Sequence, residues 1–300
     1  MSENPKPVAI TEQQNPHSRQ IDTLSALEIV TLINQEDAKV AAAVASELAQ
    51  IARAVDTIVE RLSQGGRLLY FGAGTSGRLG VLDASEARPT FGVPPDLVQG
   101  FMAGGDLALR HSAEAAEDDE AGGERLVQEI KVTAVDAVVG LAASGRTPWV
   151  LGVVQAAKAR GAATVGLACN PDSPLARLAE IAIVPVVGPE VIAGSSRMKA
   201  GTAQKMVLNM LTTATMIRLG KVYGNLMVDV RPTNAKLRDR ARRIVQEATG
   251  VDAEVARQTL EHTGYEVKPA VVMLLTGCSL DEAQRRLNAA AGFVRRAIAL

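Results

Sequence analysis

Three short segments gather most of the groups in this sequence that suit an anion. The first is Gly72-Ala73-Gly74-Thr75-Ser76-Gly77-Arg78, directly after the apolar run Arg67–Phe71. Its glycines let backbone N–H groups approach a ligand closely. Thr75 and Ser76 add hydroxyls, and a helix opening there turns unpaired N–H groups outward. The segment is not a Walker loop, which would continue in Gly-Lys-Ser/Thr where this chain has Arg78-Leu79 after Gly77. The second is Ser144-Gly145-Arg146-Thr147, after the run Ala134–Leu141, with Pro148 suited to the first position of a helix. The third is Gly194-Ser195-Ser196-Arg197-Met198-Lys199, opening a long helical pattern. Arg197 and Lys199 oppose the helix dipole at that end, a cost that a bound anion reverses. Each segment alone also fits a glycine-rich turn or an ordinary helix cap. Two such loops after two strands make a phosphate site, with Gly74, Thr75, Ser76, Ser144, Arg146 and Thr147 as its candidate residues.

The acids are less distinctive. Glu86 ends Asp83-Ala84-Ser85-Glu86, and Glu114, Glu117 and Asp118 crowd the run from His111 to Glu120. Residues three or four apart share a helix face. Spacing alone leaves each of them a solvated surface carboxylate. His17, His111 and His262 lie far apart, and with Cys169 and Cys278 they give no metal-ligand spacing.

Short apolar runs at 67–71, 97–102, 134–141, 162–168 and 181–187 alternate with mostly helical patterns, which predicts a mainly parallel sheet with covered faces. In a flavodoxin-like strand order the first and third strands flank the switch point, so the loops after them face one crevice. Ser25-x-x-Glu28 reads as a capping box. Asp37 is expected to open a longer helix carrying the apolar stripe Val40, Val44, Leu48, Ile51, Val55, Ile58 and Leu62, stopped at Gly65-Gly66. Helices are predicted over 197–219 and 233–249. The last segment shows three short helical patterns, one with a second capping signal at Ser279-x-x-Glu282. These elements divide the chain into a loose N-terminal arm and short helix (1–36), an α/β domain (37–249) and a small helical domain (250–300).

The composition is compatible with one large domain and one small one. Of 300 residues, 47% are hydrophobic but only 3% aromatic, so Ala, Val, Leu and Ile must build the core. The formal net charge is −1, with no basic excess to suggest nucleic acid and no cationic amphipathic segment to suggest a membrane surface. Two cysteines make no disulfide framework and fit a reducing cytoplasm. Residues 1–20 lack the apolar core of a signal peptide, and no uncharged stretch reaches the ~18 apolar residues of a membrane span.

Longer stretches carry a resemblance. INQEDAKV (33–40), FGAGTSGRLGVLDASE (71–86), PTFGVPP (89–95), AEDD (116–119), AASGRTP (142–148), CNPDSP (169–174), VGPEVIAGSSRMKAGTAQKMVLNML (187–211) and GKVYGNLMVDV (220–230) are similar to the N-acetylmuramic acid 6-phosphate etherases. Glucokinase regulatory proteins share some of these stretches but are much longer. The resemblance implies a three-layer sugar-isomerase (SIS) domain, a homodimer and a C-terminal helical domain like ubiquitin-associated modules. It implies conversion of N-acetylmuramate 6-phosphate and water to N-acetylglucosamine 6-phosphate and D-lactate. The family's proton-donor glutamate falls on Glu86 and its second active-site glutamate on Glu117. Many relatives carry Cys-Pro-Pro after the first of these, whereas this chain has Ala87-Arg88-Pro89, and Arg88 places a cation near the acid. The substrate's second anion, a lactyl carboxylate, makes Arg197 and Lys199 its candidate partners, with Ser195 and Ser196 beside them. The route needs no metal or redox cofactor. An aldose–ketose isomerase would use the same loops but release no lactate. A sugar-phosphate-sensing transcription factor would need a basic helix-turn-helix, which the first 60 residues lack.

Overall fold

The computed structural model describes residues 8–111, 113–230, 232 and 234–300. Contacts divide the chain into two units. The first holds residues 1–84 and 96–211, the second residues 85–95 and 212–300.

In the first unit, α1 (Ala26–Asp37), α2 (Val40–Ala45) and α3 (Leu48–Ser63) precede the sheet. Ser25 makes the capping box with Glu28. The long helix expected from Asp37 is broken instead: Asp37 ends α1, and turns separate α1, α2 and α3. Most of the stripe survives the breaks, because Val40, Val44, Ile51, Val55, Ile58 and Leu62 are buried, but Leu48, at the start of α3, is exposed. Then follow β1 (Leu68–Gly72), α4 (Gly74–Phe91), β2 (Val98–Met102), α5 (Glu114–Glu117), α6 (Glu120–Glu129), β3 (Ala137–Leu141), α7 (Pro148–Ala159), β4 (Ala163–Leu167), α8 (Pro174–Leu178), β5 (Ile181–Ile183) and α9 (Lys199–Arg218). Helices α4 and α9 each change unit within their length.

All four strand pairings are parallel, in the order β2-β1-β3-β4-β5. β1, β3 and β4 are buried at every position, as strands covered on both faces require. On one face Leu69, Phe71, Val138, Val150, Val153 and Trp149 share a core. Phe71 stacks on Phe101 at a centroid distance of 5.1 Å.

The arm before α1 is not loose where it is described. It forms three short 3₁₀ turns and hydrogen bonds across the chain. Thr11 is fully buried, its N–H donating to Asn170 Oδ1 and its carbonyl accepting from Gly194 N. Asn15 Nδ2 donates to the Pro189 carbonyl and Ser18 Oγ to that of Val191. Residues 1–7 of the expected arm lie outside the described residues.

The second unit adds α10 (Ala235–Thr249), α11 (Ala253–His262), α12 (Val267–Thr276), α13 (Leu280–Ala289) and α14 (Val294–Ala297). The boundary expected at Gly250 falls inside this unit. Gly250 is the left-handed cap of α10, a conformation glycine adopts without a Cβ penalty. Val228, Val230, Ile244 and Val245 share one core with Leu260, Val271 and Leu287. Four helices, α11–α14, follow Gly250 where three were expected, and α10 and the segment before it share their core.

Candidate active site

β1 and β3 are neighbours, with Gly72 opposite Leu141 in register. Strand order reverses between them, so the loops leaving their carboxyl ends lie side by side at the switch point. The two loops therefore leave neighbouring strand ends.

The first loop turns abruptly because its glycines allow it. Gly74 has φ +51° and opens α4. A Cβ on Gly72 or Gly77 would lie within 3 Å of neighbouring backbone, so these positions admit no side chain. Thr75 is half-buried. Ser76 is buried, and its Oγ donates to Gln204 Oε1 at 2.8 Å. The Ser76 proton is thus spent on α9, which leaves this hydroxyl only its lone pairs for a ligand. Asn209 Nδ2 donates to Asp83 Oδ1 further along the same two helices.

The second loop is held on three sides. Gly145 has φ +65°, and a Cβ there would fall 2.3 Å from Ser173 Oγ. Arg146 N donates to Ser144 Oγ at 3.2 Å. Asn170 Nδ2 donates to the Ala143 carbonyl. Thr147 is the N-cap of α7, yet its side chain caps nothing and is half-buried. Its hydroxyl and the first N–H groups of α7 remain for an anion. Arg146 is exposed.

The third segment corrects the sequence argument. The anion at the start of α9 comes from the protein: Glu190 accepts from Lys199 N (3.1 Å) and Ala200 N (2.9 Å). The Lys199 side chain is 2% exposed, and its Nζ lies 2.5 Å from Glu36 Oε2. Lys199 is therefore withdrawn as a ligand for the lactyl carboxylate, because its ammonium already has a buried partner. Glu190 and Glu36 also remove the dipole penalty that pointed to a ligand. Arg197 is exposed, and Ser195 and Ser196 are half-buried. Neither serine caps α9, which starts three residues later than Ser196.

Glu117 ends α5 in the first unit, beside the first loop. A Cβ built on Gly74 would sit 3.2 Å from Glu117 Oε1, so the missing side chain admits this carboxylate. Arg78 helps to set it there, donating to the carbonyls of Ala108 and Leu109 just upstream. Glu86 lies on α4 within the second unit and is exposed. Among the described residues no three metal-ligating side chains gather, and no helix is long and apolar enough to cross a membrane.

Sequence reasoning passed over Glu36, Asn170, Glu190 and Gln204, which hold the loops from behind. Every one of them lies within a stretch quoted above for the resemblance, which was the available signal. Residues 50–158 match the model of the glucokinase regulatory protein N-terminal SIS domain, and residues 121–214 that of the SIS domain. Among solved structures, a phosphoheptose isomerase from Francisella tularensis is 17% identical, with a TM-score of 0.51 over 65% of this chain and 100% of that one. That likeness shows the fold. The chain is 56% identical to the N-acetylmuramic acid 6-phosphate etherase of Yersinia pestis (strain Pestoides F), over 96% of this chain and 98% of that protein. The same figures hold for the etherase of Yersinia pseudotuberculosis serotype O:1b (strain IP 31758). With that identity along nearly its whole length, the chain belongs to the N-acetylmuramic acid 6-phosphate etherase family.

Proposed function

We propose that Glu86 and Glu117 carry the family's reaction in this chain, a carbon–oxygen lyase that cleaves the D-lactyl ether of N-acetylmuramate 6-phosphate. The products are N-acetylglucosamine 6-phosphate and D-lactate, in the recycling of cell-wall amino sugars. The observation that carries the activity is the 56% identity over 96% of the chain.

The ether is a poor leaving group, so the chemistry goes through the open sugar. Its C1 aldehyde acidifies the C2 proton. Glu117 takes that proton as base, the C2 electrons form a double bond to C3, and the C3–O bond breaks. Glu86 gives its proton to the departing ether oxygen, so lactate leaves with its hydroxyl. Water then adds at C3 of the unsaturated aldehyde, and a proton returns to C2. General acid and base steps of this kind each supply roughly 10²–10⁴-fold. The phosphate is held by backbone N–H groups at Gly74 and by Thr75, Ser144, Arg146 and Thr147, while Ser76, its proton on Gln204, fixes the loop from behind; Arg197, Ser195 and Ser196 lie toward the lactyl carboxylate. What supports this assignment is the pair of adjacent loops at the β1/β3 switch point and the approach of Glu117 to Gly74. The resemblance further supports a homodimer working in the cytoplasm.

Isotopes test the route. In H₂¹⁸O the label is expected at C3 of the sugar and not in the lactate hydroxyl, and in D₂O deuterium is expected at C2. Label in lactate with none at C3 would overturn the elimination. Glu117→Ala should suppress C2 exchange, and Glu86→Gln should lose lactate release. Normal C2 exchange or normal lactate release in these variants overturns the respective role.

A further inference from the structure

The second unit contains a cavity of about 690 Å³ that the reaction above does not use. It is lined by residues of that unit alone, from Gly92 through the segment before α10 to α12, α13 and Gly292. Its charge is unbalanced. Lys221, Arg238 and Lys268 face it together with Asp229 and Glu266. Two ammonium groups meet at one carboxylate oxygen: Lys268 Nζ lies 2.6 Å and Lys221 Nζ 3.0 Å from Asp229 Oδ2. The Lys268 side chain is only 11% exposed. Burial pushes its ammonium below the ordinary lysine value, against the pull of Asp229 and with the repulsion of Lys221. Arg238 is held on the wall by the Tyr265 ring, 5.0 Å from its centroid, and pairs with no carboxylate among the described residues. Glu266 is the N-cap of α12 but accepts no bond from its first turn. In that turn the N–H groups of Val267 and Lys268 have no intrahelical partner, and Pro269 carries none.

A buried cation sharing half a carboxylate is a costly arrangement unless a further anion joins it. We infer that this cavity is an anion site taking the phosphate monoester of a small polyol. Lys221, Lys268 and the start of α12 face the phosphate. The side-chain amides of Gln284 and Asn288, on the same cavity wall, suit the hydroxyls of the polyol. This assignment stands apart from the lyase reaction, and its test reads no lactate.

The full chain carrying Ser144→Ala and Thr147→Val, which weakens the proposed loop site, is titrated by calorimetry with inorganic phosphate and with glucose 6-phosphate at matched ionic strength. One equivalent is expected to bind, with glucose 6-phosphate the tighter ligand. Adding Lys221→Gln should weaken it roughly tenfold or more, and Lys221→Arg should restore much of the loss. Lys221→Gln leaves the Asp229–Lys268 pair in place, so the fold is expected to survive. In the unmodified protein, glucose 6-phosphate should also protect Lys221 and Lys268 from acetylation, read by mass spectrometry. No binding to the loop variant, unchanged affinity with Lys221→Gln, equal affinity for the two probes, or absence of protection would each overturn the assignment.

Discussion

Replacing Glu36 by Gln tests whether a buried ion pair holds the start of α9. Glu36 is 3% exposed and its carboxylate accepts from Lys199, Lys39 and His17. Burial by itself would raise its pKa. The hydrogen bonds from Lys199, Lys39 and His17 and the charge of Lys199 outweigh that and hold it at about 2, against an ordinary 4.5. Lys39 and His17 are more than half exposed, so Lys199 is the partner that water screens least. A depression from 4.5 to about 2 corresponds to about 3 kcal/mol of stability at neutral pH. The folded pKa is the lower one. The contribution is therefore complete above about pH 5 and is lost as pH falls from 4.5 toward 2, at a slope approaching about 1.4 kcal/mol per pH unit. Glu36→Gln keeps the shape but leaves the Lys199 ammonium buried without its counter-charge, an arrangement that typically costs about 3–5 kcal/mol. Urea unfolding at pH 7 should show a loss of about 3 kcal/mol, and the gap to the unmodified protein should narrow at pH 3.5. Glu36→Gln with Lys199→Met should recover part of the loss, because both charges are then gone. A loss under about 1 kcal/mol at pH 7, or a gap that does not narrow in acid, would refute the reasoning.

Two further outcomes follow from the loops. Ser144→Ala with Thr147→Val should weaken binding of N-acetylglucosamine 6-phosphate roughly tenfold or more, since bonds to charged groups are each worth about 1.5–3 kcal/mol; unchanged affinity by calorimetry would remove these hydroxyls from the phosphate. Gly74→Ala should destabilise by about 1–2 kcal/mol, because φ +51° suits glycine, and should lower lactate release by pushing on the Glu117 carboxylate 3.2 Å from the new Cβ. A variant with unaltered melting and turnover would show that neither constraint matters.

The parallel sheet and the turns that follow its strands were legible in the sequence. Runs such as Leu68–Gly72 and Ala137–Leu141 are apolar at almost every position because strands buried on both faces have no solvent side to mark. The glycines after them announce a turn for a local reason, the positive φ of Gly74 and Gly145. Capping at Ser25 and Ser279 was legible because a cap spans three residues of adjacent chain. Lys199 was misread for the opposite reason. Its partner Glu36 is 163 positions away, and a one-dimensional pattern shows a cation at a helix start without showing what neutralises it. Glu190, ten residues before Ala200, was hidden by the loop that carries it back to the helix. The arm before α1 looked loose because its side chains are polar, yet Thr11, Asn15 and Ser18 are buried against residues more than 150 positions later. The break between units is also absent from the local pattern, since residues 85–95 group by their contacts with residues 212–300. Local backbone preference is written in neighbouring residues, whereas charge pairing and shared cores depend on distant residues that only the folded chain brings together.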